Sequence, residues 1–347
     1  MAVHLEENFS LQSFNTFGIP ARAKYFAQVE TEQELKELLL NHQKISKQNP
    51  LVSPPLFLGM GSNVLFTKDY EGLVIQLNLK GIEEEILDEE QVKITAKAGE
   101  NWHEFVLYCL SKDFGGLENL SLIPGNVGTS PMQNIGAYGV EIKDVFHSLR
   151  ALNLETLEIE EFSKEACEFG YRESYFKRKG KNRFAILKVS FLLTRKDHIT
   201  RTNYGAIEQE LAAKNISSPT IKQVSDAVIT IRQSKLPDPK LLGNAGSFFK
   251  NPTVSHEDFK MLQKKFPKIH NYPMETGVKI PAGHLIEECG WKGKQIGNVA
   301  SHSQQSLVLV NQTGKASGKE IFEFSEKIIQ SVQERYGITL EREVNIV

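Results

Sequence analysis

The stretch Leu122-Ile-Pro-Gly-Asn-Val-Gly-Thr-Ser-Pro-Met-Gln-Asn-Ile-Gly-Ala-Tyr-Gly139 is the most informative part of this 347-residue chain. It combines four glycines and two prolines with hydroxyl and amide side chains. Glycine lets the main chain adopt positive φ and lets a ligand approach it closely. Successive N–H groups in such a loop form a concave anion site. A long surface loop is the alternative interpretation, but the composition favours a loop that binds a cofactor phosphate.

A second glycine cluster, Gly59-Met-Gly61-Ser62-Asn63, lies between the apolar runs Pro55-Leu-Phe-Leu and Val64-Leu-Phe66. A strand, a tight turn and Ser/Asn donors suit a pyrophosphate. The cluster lacks the third glycine of a dinucleotide-binding fingerprint and the Gly-Lys-Ser/Thr of a P-loop. A simple hairpin turn is the alternative interpretation.

Composition bounds the class of protein. The length predicts about two domains, and at most about three, and 40% hydrophobic with 24% charged residues is typical of a globular chain. The 41 basic and 43 acidic residues leave a net charge of −2, so no electrostatic footprint for nucleic acid or an anionic membrane is expected. Three widely spaced cysteines without C-x-x-C spacing indicate reduced thiols rather than disulfides or zinc.

The N-terminal sequence has no basic and apolar signal regions, so we expect no signal peptide. The most apolar stretch, residues 184–193, is interrupted by Lys188 and is too short to span a bilayer. We therefore expect no membrane insertion.

Apolar periodicity and capping signals predict the elements. Thr31-Glu-Gln-Glu34 is a capping box that opens a helix, and Pro237-Asp-Pro239 marks a domain boundary. Alternation predicts a half-buried C-terminal strand over residues 338–347, in which Arg342 falls on the apolar side without explanation. Further helices are predicted over residues 102–111, 220–234, 256–265, 283–288 and 319–336, and further strands over 73–79, 92–98 and 183–193.

A third run, Gly243-Asn-Ala-Gly-Ser-Phe-Phe-Lys-Asn-Pro252, presents Ser247 on a turn. It is not a Gly-x-Ser-x-Gly nucleophile elbow, so a serine hydrolase is disfavoured. Ser247 either caps a helix or holds a proton for delivery to a reacting carbon.

Phe169-Gly-Tyr-Arg172 places an arginine beside aromatic residues. A guanidinium suits a substrate carboxylate or phosphate, although a structural salt bridge is the alternative. Lys235, Tyr204-Gly205 and His302-Ser-Gln-Gln305 are weaker signals, and no metal-binding motif occurs in the sequence.

Together these segments resemble the UDP-N-acetylenolpyruvoylglucosamine reductase (MurB) family of bacterial peptidoglycan synthesis. The matching stretches run in the family's order from near the N-terminus to the C-terminus. Asn126, Thr129 and Arg342 depart from residues common in the family. The matching stretches are Asn15-Thr-Phe-Gly18, Gly59–Phe66, Gly99-Glu-Asn-Trp102, Gly116-Leu-Glu-Asn-Leu120, Ile123–Glu141, Phe169–Arg172, Lys235–Pro239, Gly243–Pro252 and Leu340-Glu-Arg-Glu-Val344.

The resemblance implies an α+β fold. A two-subdomain FAD-binding module of the vanillyl-alcohol-oxidase (PCMH) type would be followed by a C-terminal substrate-binding α/β domain. The implied boundaries are residues 1–72 for the first subdomain, joined by the strand at 338–347, 73–235 for the second, and 236–337 for the substrate domain.

The resemblance also implies roles for individual residues. Ser247 matches the family's proton donor, and Arg172 and Glu343 match its other two catalytic residues. Tyr204, Lys235, Asn251 and Gln305 match residues that grip the nucleotide-sugar diphosphate, and the Tyr204-Gly205 loop resembles the subtype with a closing tyrosine loop. The residues that would hold non-covalent FAD are Gly59, Gly61, Ser62, Asn63, Pro124, Gly125, Gly128, Thr129, Ser130, Gln133, Asn134, Gly136, Ala137 and Tyr138.

The implied activity is NADPH-dependent reduction, through FAD, of enolpyruvyl-UDP-N-acetylglucosamine to UDP-N-acetylmuramate in the bacterial cytoplasm. No metal, nucleic acid or obligate protein partner is expected. Two rivals remain: a flavin oxidase of the same fold, which would turn over with oxygen, and a non-catalytic nucleotide-sugar binding protein, which would be colourless.

Overall fold

The computed structural model describes residues 3–48 and 53–347. The described part contains both strands and helices. In chain order they are β1 (Glu6–Ser10), β2 (Arg22–Val29), α1 (Glu32–Gln48), β3 (Leu56–Leu58), β4 (Val64–Leu65), β5 (Tyr70–Leu77), β6 (Ile82–Ile86), β7 (Gln91–Lys97), α2 (Trp102–Ser111), β8 (Gly136–Ala137), β9 (Val140–Glu141), β10 (Phe146–Asn153), β11 (Ile159–Ser163), β12 (Phe184–Thr194), α3 (Gly205–Ala213), α4 (Ile221–Lys235), β13 (Asn244–Ser247), β14 (Thr253–Val254), α5 (His256–Lys265), β15 (Tyr272–Met274), β16 (Gly277–Lys279), α6 (Ala282–Glu288), β17 (Gln295–Ile296), β18 (Val299–Ser301), β19 (Val308–Asn311), α7 (Gly318–Tyr336) and β20 (Asn345–Ile346).

The chain forms two compact units, and unit 1 takes its residues from Met1–Phe9, Ala23–Met60 and Glu71–Ser234. One of its sheets has the strand order β1-β2-β5-β3, with β3 parallel to β5. The other is antiparallel, with the order β11-β10-β12-β7-β6. Unit 1 is therefore a mixed α+β body built on two sheets.

Two of the apolar clusters of unit 1 hold its helices against its sheets. In one, Leu35 and Leu39 of α1 pack with buried residues of the first sheet. In the other, the rings of Trp102, Phe105 and Phe191 meet with centroids 5.4–5.9 Å apart. Burying each aromatic side chain stabilises the fold by roughly 1.5–3 kcal/mol, so α2 is fixed against the second sheet.

Unit 2 takes its residues from Ser10–Arg22, Gly61–Tyr70 and Lys235–Val347. It contains an antiparallel sheet of order β13-β19-β18-β17, a small sheet of order β14-β16-β15, and a parallel pair of β4 with β20. Helix α7 buries one apolar face and stops at Gly337, whose φ of 70° suits glycine. The three-part domain division implied by the resemblance stays a prediction.

Most predicted elements are confirmed to within a few residues. The bounds predicted for α2 and α5 are those observed. The capping box before α1 is also present, since the Glu34 N–H donates to Thr31 Oγ1 at 3.1 Å and Glu34 Oε2 accepts from the Thr31 N–H. The hairpin interpretation of Gly59-Met-Gly61 is wrong, because β3 pairs with β5 while β4 pairs with β20.

The single strand predicted over residues 338–347 is wrong in extent. Only Asn345–Ile346 forms a strand, beside β4. The preceding segment changes partner: the Lys250 N–H donates to Glu341 O at 2.9 Å, and the Glu343 N–H donates to Phe248 O at 2.8 Å. The alternation of apolar and polar residues indicates which face of a segment is buried, but it does not indicate which strand lies beside it.

The structure also explains Arg342 on the apolar side of this segment. Its guanidinium lies 4.4 Å from the centre of the Phe322 ring, and its Nε donates to Ser325 Oγ at 2.9 Å. The side chain also forms an ion pair with Glu326. The apolar stem is therefore covered while the charge is paired.

Candidate active site

The first half of the glycine-rich loop is a 3₁₀ helix, Val127–Gln133, anchored to the chain that follows β7. The Val127 N–H donates to Glu100 O at 2.9 Å, and the Gly128 N–H donates to Ala98 O at 3.0 Å. A Cβ on Gly128 would lie 2.8 Å from Ala98 Cα and closer still to Ala98 Cβ. Glycine is thus required there because the loop lies directly on the backbone below it.

Two side chains that were predicted to bind the flavin are instead hydrogen-bonded to other groups of the protein. Ser130 Oγ donates to Val127 O at 2.7 Å. Asn134 has φ 45°, and its Nδ2 donates to Glu141 Oε2 at 2.9 Å and to Gly170 O at 3.0 Å. Both side chains are buried. They fix the loop conformation, so any contact they make with a cofactor runs through the main chain.

The two glycine loops touch each other within unit 1. A Cβ on Gly59 would lie 2.8 Å from Asn126 Oδ1 and 2.9 Å from Thr129 Cγ2. Within unit 2, the neighbouring Gly61 has φ 64°, and a Cβ there would overlap Phe14 O. Gly61 therefore requires glycine, whereas a side chain at Gly59 would force the Asn126 and Thr129 side chains to shift.

The loop chemistry fits the diphosphate of FAD. Neither residues 59–66 nor residues 122–139 contain Asp, Glu, Lys or Arg, so nothing in them repels an anion and its charge would be met by N–H and O–H donors. The Thr129 side chain is exposed, and a Cβ on Gly139, where φ is 80°, would meet nothing within 4 Å. Among the other predicted residues, Pro124 is exposed, Gly125 is buried, and Ser62, Asn63, Gln133, Gly136, Ala137 and Tyr138 are half-buried.

Arg172 lies against the end of the glycine-rich loop in unit 1. Its Nη2 donates to Gly136 O at 2.6 Å, and its Nη1 is 3.9 Å from Glu141 Oε1. The guanidinium also lies 5.3 Å from the centre of the Tyr171 ring. Its backbone φ of 55° is rare for a residue with a side chain. The geometry thus combines the predicted catalytic cation with the predicted cofactor loop.

The two segments that carry Ser247 and Glu343 are hydrogen-bonded to each other within unit 2. Ser247 ends β13 and is exposed, whereas Phe248 and Phe249, which follow it, are fully buried. The hydrogen bond from the Glu343 N–H to Phe248 O makes Glu343 the cross-strand neighbour of this turn. The helix-cap interpretation of Ser247 is wrong, because the residue ends a strand.

An ion pair between a buried lysine and an exposed glutamate supports this arrangement, and the sequence reasoning missed it. Lys250 Nζ lies 2.5 Å from Glu341 Oε1, and only 8% of the Lys250 side chain is exposed. The pair spans the two segments that carry Ser247 and Glu343. The sequence does contain a signal for this ion pair. In Phe248-Phe-Lys250 a lysine follows two phenylalanines directly, and this suggests a lysine that is buried beside a partner of opposite charge.

Two of the three predicted diphosphate-binding residues of unit 2 lie at the first turn of α6. Asn251 Oδ1 accepts from the Ala282 N–H at 2.9 Å, and Gln305 Oε1 lies 3.5 Å from where a Cβ of Gly283 would be. Lys235, at the end of α4, is exposed. The fourth such residue, Tyr204, belongs to unit 1.

A half-buried cation lies beside the glycine-rich loop in unit 1. Arg232 Nε donates to Leu122 O at 3.3 Å, and its guanidinium lies near the Tyr138 hydroxyl. Burial lowers the pKa of the Arg232 guanidinium and raises the pKa of the Tyr138 hydroxyl. Burial, and then the Arg232 charge, also lower the pKa of His103, whose Nδ1 accepts from the Leu122 N–H.

Comparison with protein families identifies the class. The family model "FAD binding domain" matches residues 23–161, and "UDP-N-acetylenolpyruvoylglucosamine reductase, C-terminal domain" matches residues 238–347. The chain is an FAD-dependent oxidoreductase.

Full-length relatives identify the family. The UDP-N-acetylenolpyruvoylglucosamine reductase of Flavobacterium johnsoniae is 51% identical over 346 residues, covering 99% of this chain and 100% of the relative. That of Amoebophilus asiaticus is 47% identical over 344 residues, covering 99% of both chains. The chain belongs to the UDP-N-acetylenolpyruvoylglucosamine reductase family.

Solved structures agree on the fold. The reductase of Thermus caldophilus has a TM-score of 0.65 at 23% identity, covering 100% of this chain and 99% of that one. A solvent-stable cholesterol oxidase has a TM-score of 0.50 at 11% identity, covering 98% and 87%. The predicted α+β flavoprotein fold is confirmed. Across residues 3–48 and 53–347, no helix is long and apolar enough to cross a bilayer.

Proposed function

We propose that this chain reduces enolpyruvyl-UDP-N-acetylglucosamine to UDP-N-acetylmuramate with NADPH, and that Ser247, Arg172 and Glu343 carry the reduction of the enol ether. The observation that carries the residue assignment is the pairing of the Ser247 turn with Glu343 across two hydrogen-bonded segments of unit 2. The buried Phe248 and Phe249 make this pairing rigid. A rigid support is what a proton donor needs, since general-acid catalysis depends on placement.

FAD, held by the two glycine loops, would supply hydride transfer from NADPH to the double bond of the substrate. The chain supplies the remaining chemistry. Negative charge then develops on the carbon next to the substrate carboxylate, and Arg172 is a fixed cation suited to it. Glu343 would stabilise the enol form, and the Ser247 hydroxyl would donate the proton that completes the reduction.

Binding of the nucleotide sugar would use its diphosphate. Lys235 provides an exposed cation, while Asn251 and Gln305 provide amides beside the first turn of α6. Tyr204, with 49% of its surface exposed, would close over the diphosphate as in the tyrosine-loop subtype. A role in peptidoglycan precursor synthesis supports a location in the bacterial cytoplasm.

The test separates the two half-reactions. Ser247→Ala should fold, bind FAD and bleach with NADPH at close to the parent rate, because flavin reduction needs no proton from this hydroxyl. Its reoxidation by the enolpyruvyl substrate should slow by roughly 100-fold or more, the scale of a lost general acid. Ser247→Cys, which keeps an ionisable proton, should fall between the two.

Stopped-flow absorbance of the flavin gives both rates. Equal slowing of both half-reactions, or of neither, would defeat the proton-donor role. Sustained oxygen turnover by the parent on another substrate without NADPH would favour the oxidase rival, and a colourless protein would favour the binding-protein rival.

A further inference from the structure

One buried amide joins the glycine-rich loop to the segment that carries Tyr204. Asn119 Nδ2 donates to Tyr138 O at 3.2 Å and to Arg201 O at 2.8 Å, so its two hydrogens bond to two different loops. Only 1% of Asn119 is exposed. Leaving a buried N–H donor without a hydrogen bond costs free energy. The Asn119 amide therefore holds both loops at once.

Two further contacts hold the Tyr204 segment within unit 1. The rings of Tyr138 and Tyr204 meet edge to face, with centroids 5.4 Å apart and an angle of 86°. Arg201 Nη1 also pairs with Asp144 Oδ2 at 2.7 Å, just beyond the glycine-rich loop. The chain from Arg201 to Tyr204 is therefore held to the end of the glycine-rich loop through Asn119 and through the ring of Tyr138, and to Asp144 by the ion pair.

The glycine-rich side of this junction is rigid. Tyr138 packs against the apolar cluster of α3 and α4, which contains Ile207 and Val228. Tyr204 itself lies at the N-terminal end of α3. The tyrosine that would close over the substrate thus rests on a support shared with the cofactor loop.

We propose that Asn119 is a positioning residue for Tyr204, through which the glycine-rich loop sets the affinity for the nucleotide-sugar diphosphate. The inference rests on the proposed function, since it requires Tyr204 to contact that diphosphate. Asn119 touches neither reactant. It acts by fixing where the Tyr204 segment begins, so its loss changes substrate binding and leaves the chemical step intact.

The experiment is a double-mutant cycle on the FAD-loaded enzyme, with Asn119→Ala, Tyr204→Ala and the combined variant. Asn119→Ala should raise the KM for the enolpyruvyl nucleotide sugar by roughly 5- to 30-fold, the range for one or two modest hydrogen bonds, with kcat within about threefold. If Asn119 acts through Tyr204, the combined variant should match Tyr204→Ala to within about twofold. Titration with UDP-N-acetylmuramate, followed by the flavin difference spectrum, measures binding without turnover.

Asn153→Ala is the matched control. Asn153 is another buried asparagine of unit 1, with side-chain bonds to Glu160 and the Glu155 N–H. It should lower the melting temperature and leave KM unchanged. If Asn119→Ala behaves like this control, or if the cycle is additive, the inference is overturned.

If Asn119→Ala fails to fold, Arg201→Met is the second test, because it removes the ion pair with Asp144 from a side chain that is 52% exposed. A rise of about two- to threefold in the KM for the nucleotide sugar supports the inference. An unchanged KM overturns it. Failure of the proposed function itself is distinguishable, because the parent enzyme would then not be reoxidised by the nucleotide sugar at all.

Discussion

Substituting Gly128 by alanine tests whether the glycine-rich loop depends on its contact with the backbone at Ala98. The new methyl would lie 2.8 Å from Ala98 Cα and 3.1 Å from Ala98 O. Carbon atoms prefer separations of about 3.5–4.0 Å, so the loop must move by at least about 0.7 Å. Ala98 cannot yield instead, because it is buried and its carbonyl accepts the Gly128 N–H.

Overpacking of this kind costs about 1–3 kcal/mol. For a domain of about 150–250 residues, each kcal/mol lowers the melting temperature by about 2–4 °C, so the loss should be about 2–12 °C in the protein without FAD. The displaced loop carries Thr129 with it, and each 1.4 kcal/mol lost from the bound state alone weakens FAD binding about tenfold. Both effects should therefore appear together.

Thermal unfolding of the FAD-free protein and fluorescence of released flavin measure the two effects. Gly205→Ala is the matched control: a Cβ there meets nothing within 4 Å at the start of α3, so stability should be unchanged or slightly higher. Adding Ala98→Gly to Gly128→Ala removes the nearest clashing atom and should restore part of the loss. A Gly128→Ala chain that melts and retains FAD like the parent would refute the reasoning.

Three further predictions concern unit 2. Lys235→Ala should raise the KM for the nucleotide sugar by roughly 10-fold or more, since a lost charge-assisted contact costs about 1.5–3 kcal/mol, while flavin reduction by NADPH is spared in stopped-flow traces. Arg342→Met should lower the free energy of unfolding by about 1–2 kcal/mol in urea titrations, because Ser325 Oγ loses its donor and the ring contact is lost. Burial, and then the charge of His270, lower the pKa of His284 below its ordinary 6.5. Because His284 therefore binds a proton more readily in the unfolded chain than in the folded chain, the free energy of unfolding should fall as the pH drops from about 7 to about 5. His284→Asn should make this dependence on pH weaker.

The first two of these predictions have a control variant in the same unit. Lys240→Ala removes another exposed lysine near the boundary and should leave KM unchanged. Lys319→Met removes a side chain that is 77% exposed and should leave the free energy of unfolding unchanged. An identical pH slope for the parent and His284→Asn would contradict the titration argument.

Local signals in the sequence determined the helices and the candidate loops. The capping box at Thr31–Glu34, the apolar spacing of α7 and the glycine after it depend on bonds within a few residues, and such bonds are encoded locally. The absence of charge from both glycine loops likewise follows from composition alone. The matching order of motifs then indicated the family, which the full-length relatives establish.

Tertiary structure alone decided which segments became neighbours. Alternation over residues 338–347 predicted a strand, but only the fold decided that residues 341–343 pair with 248–250 before the chain turns to β4. The sequence also did not reveal the place of Arg342, the ion pair of buried Lys250 with Glu341, or the two bonds of Asn119. The physical reason is the same in each case: a side chain's own sequence sets its chemistry, whereas its partner lies tens to hundreds of residues away and is chosen by packing.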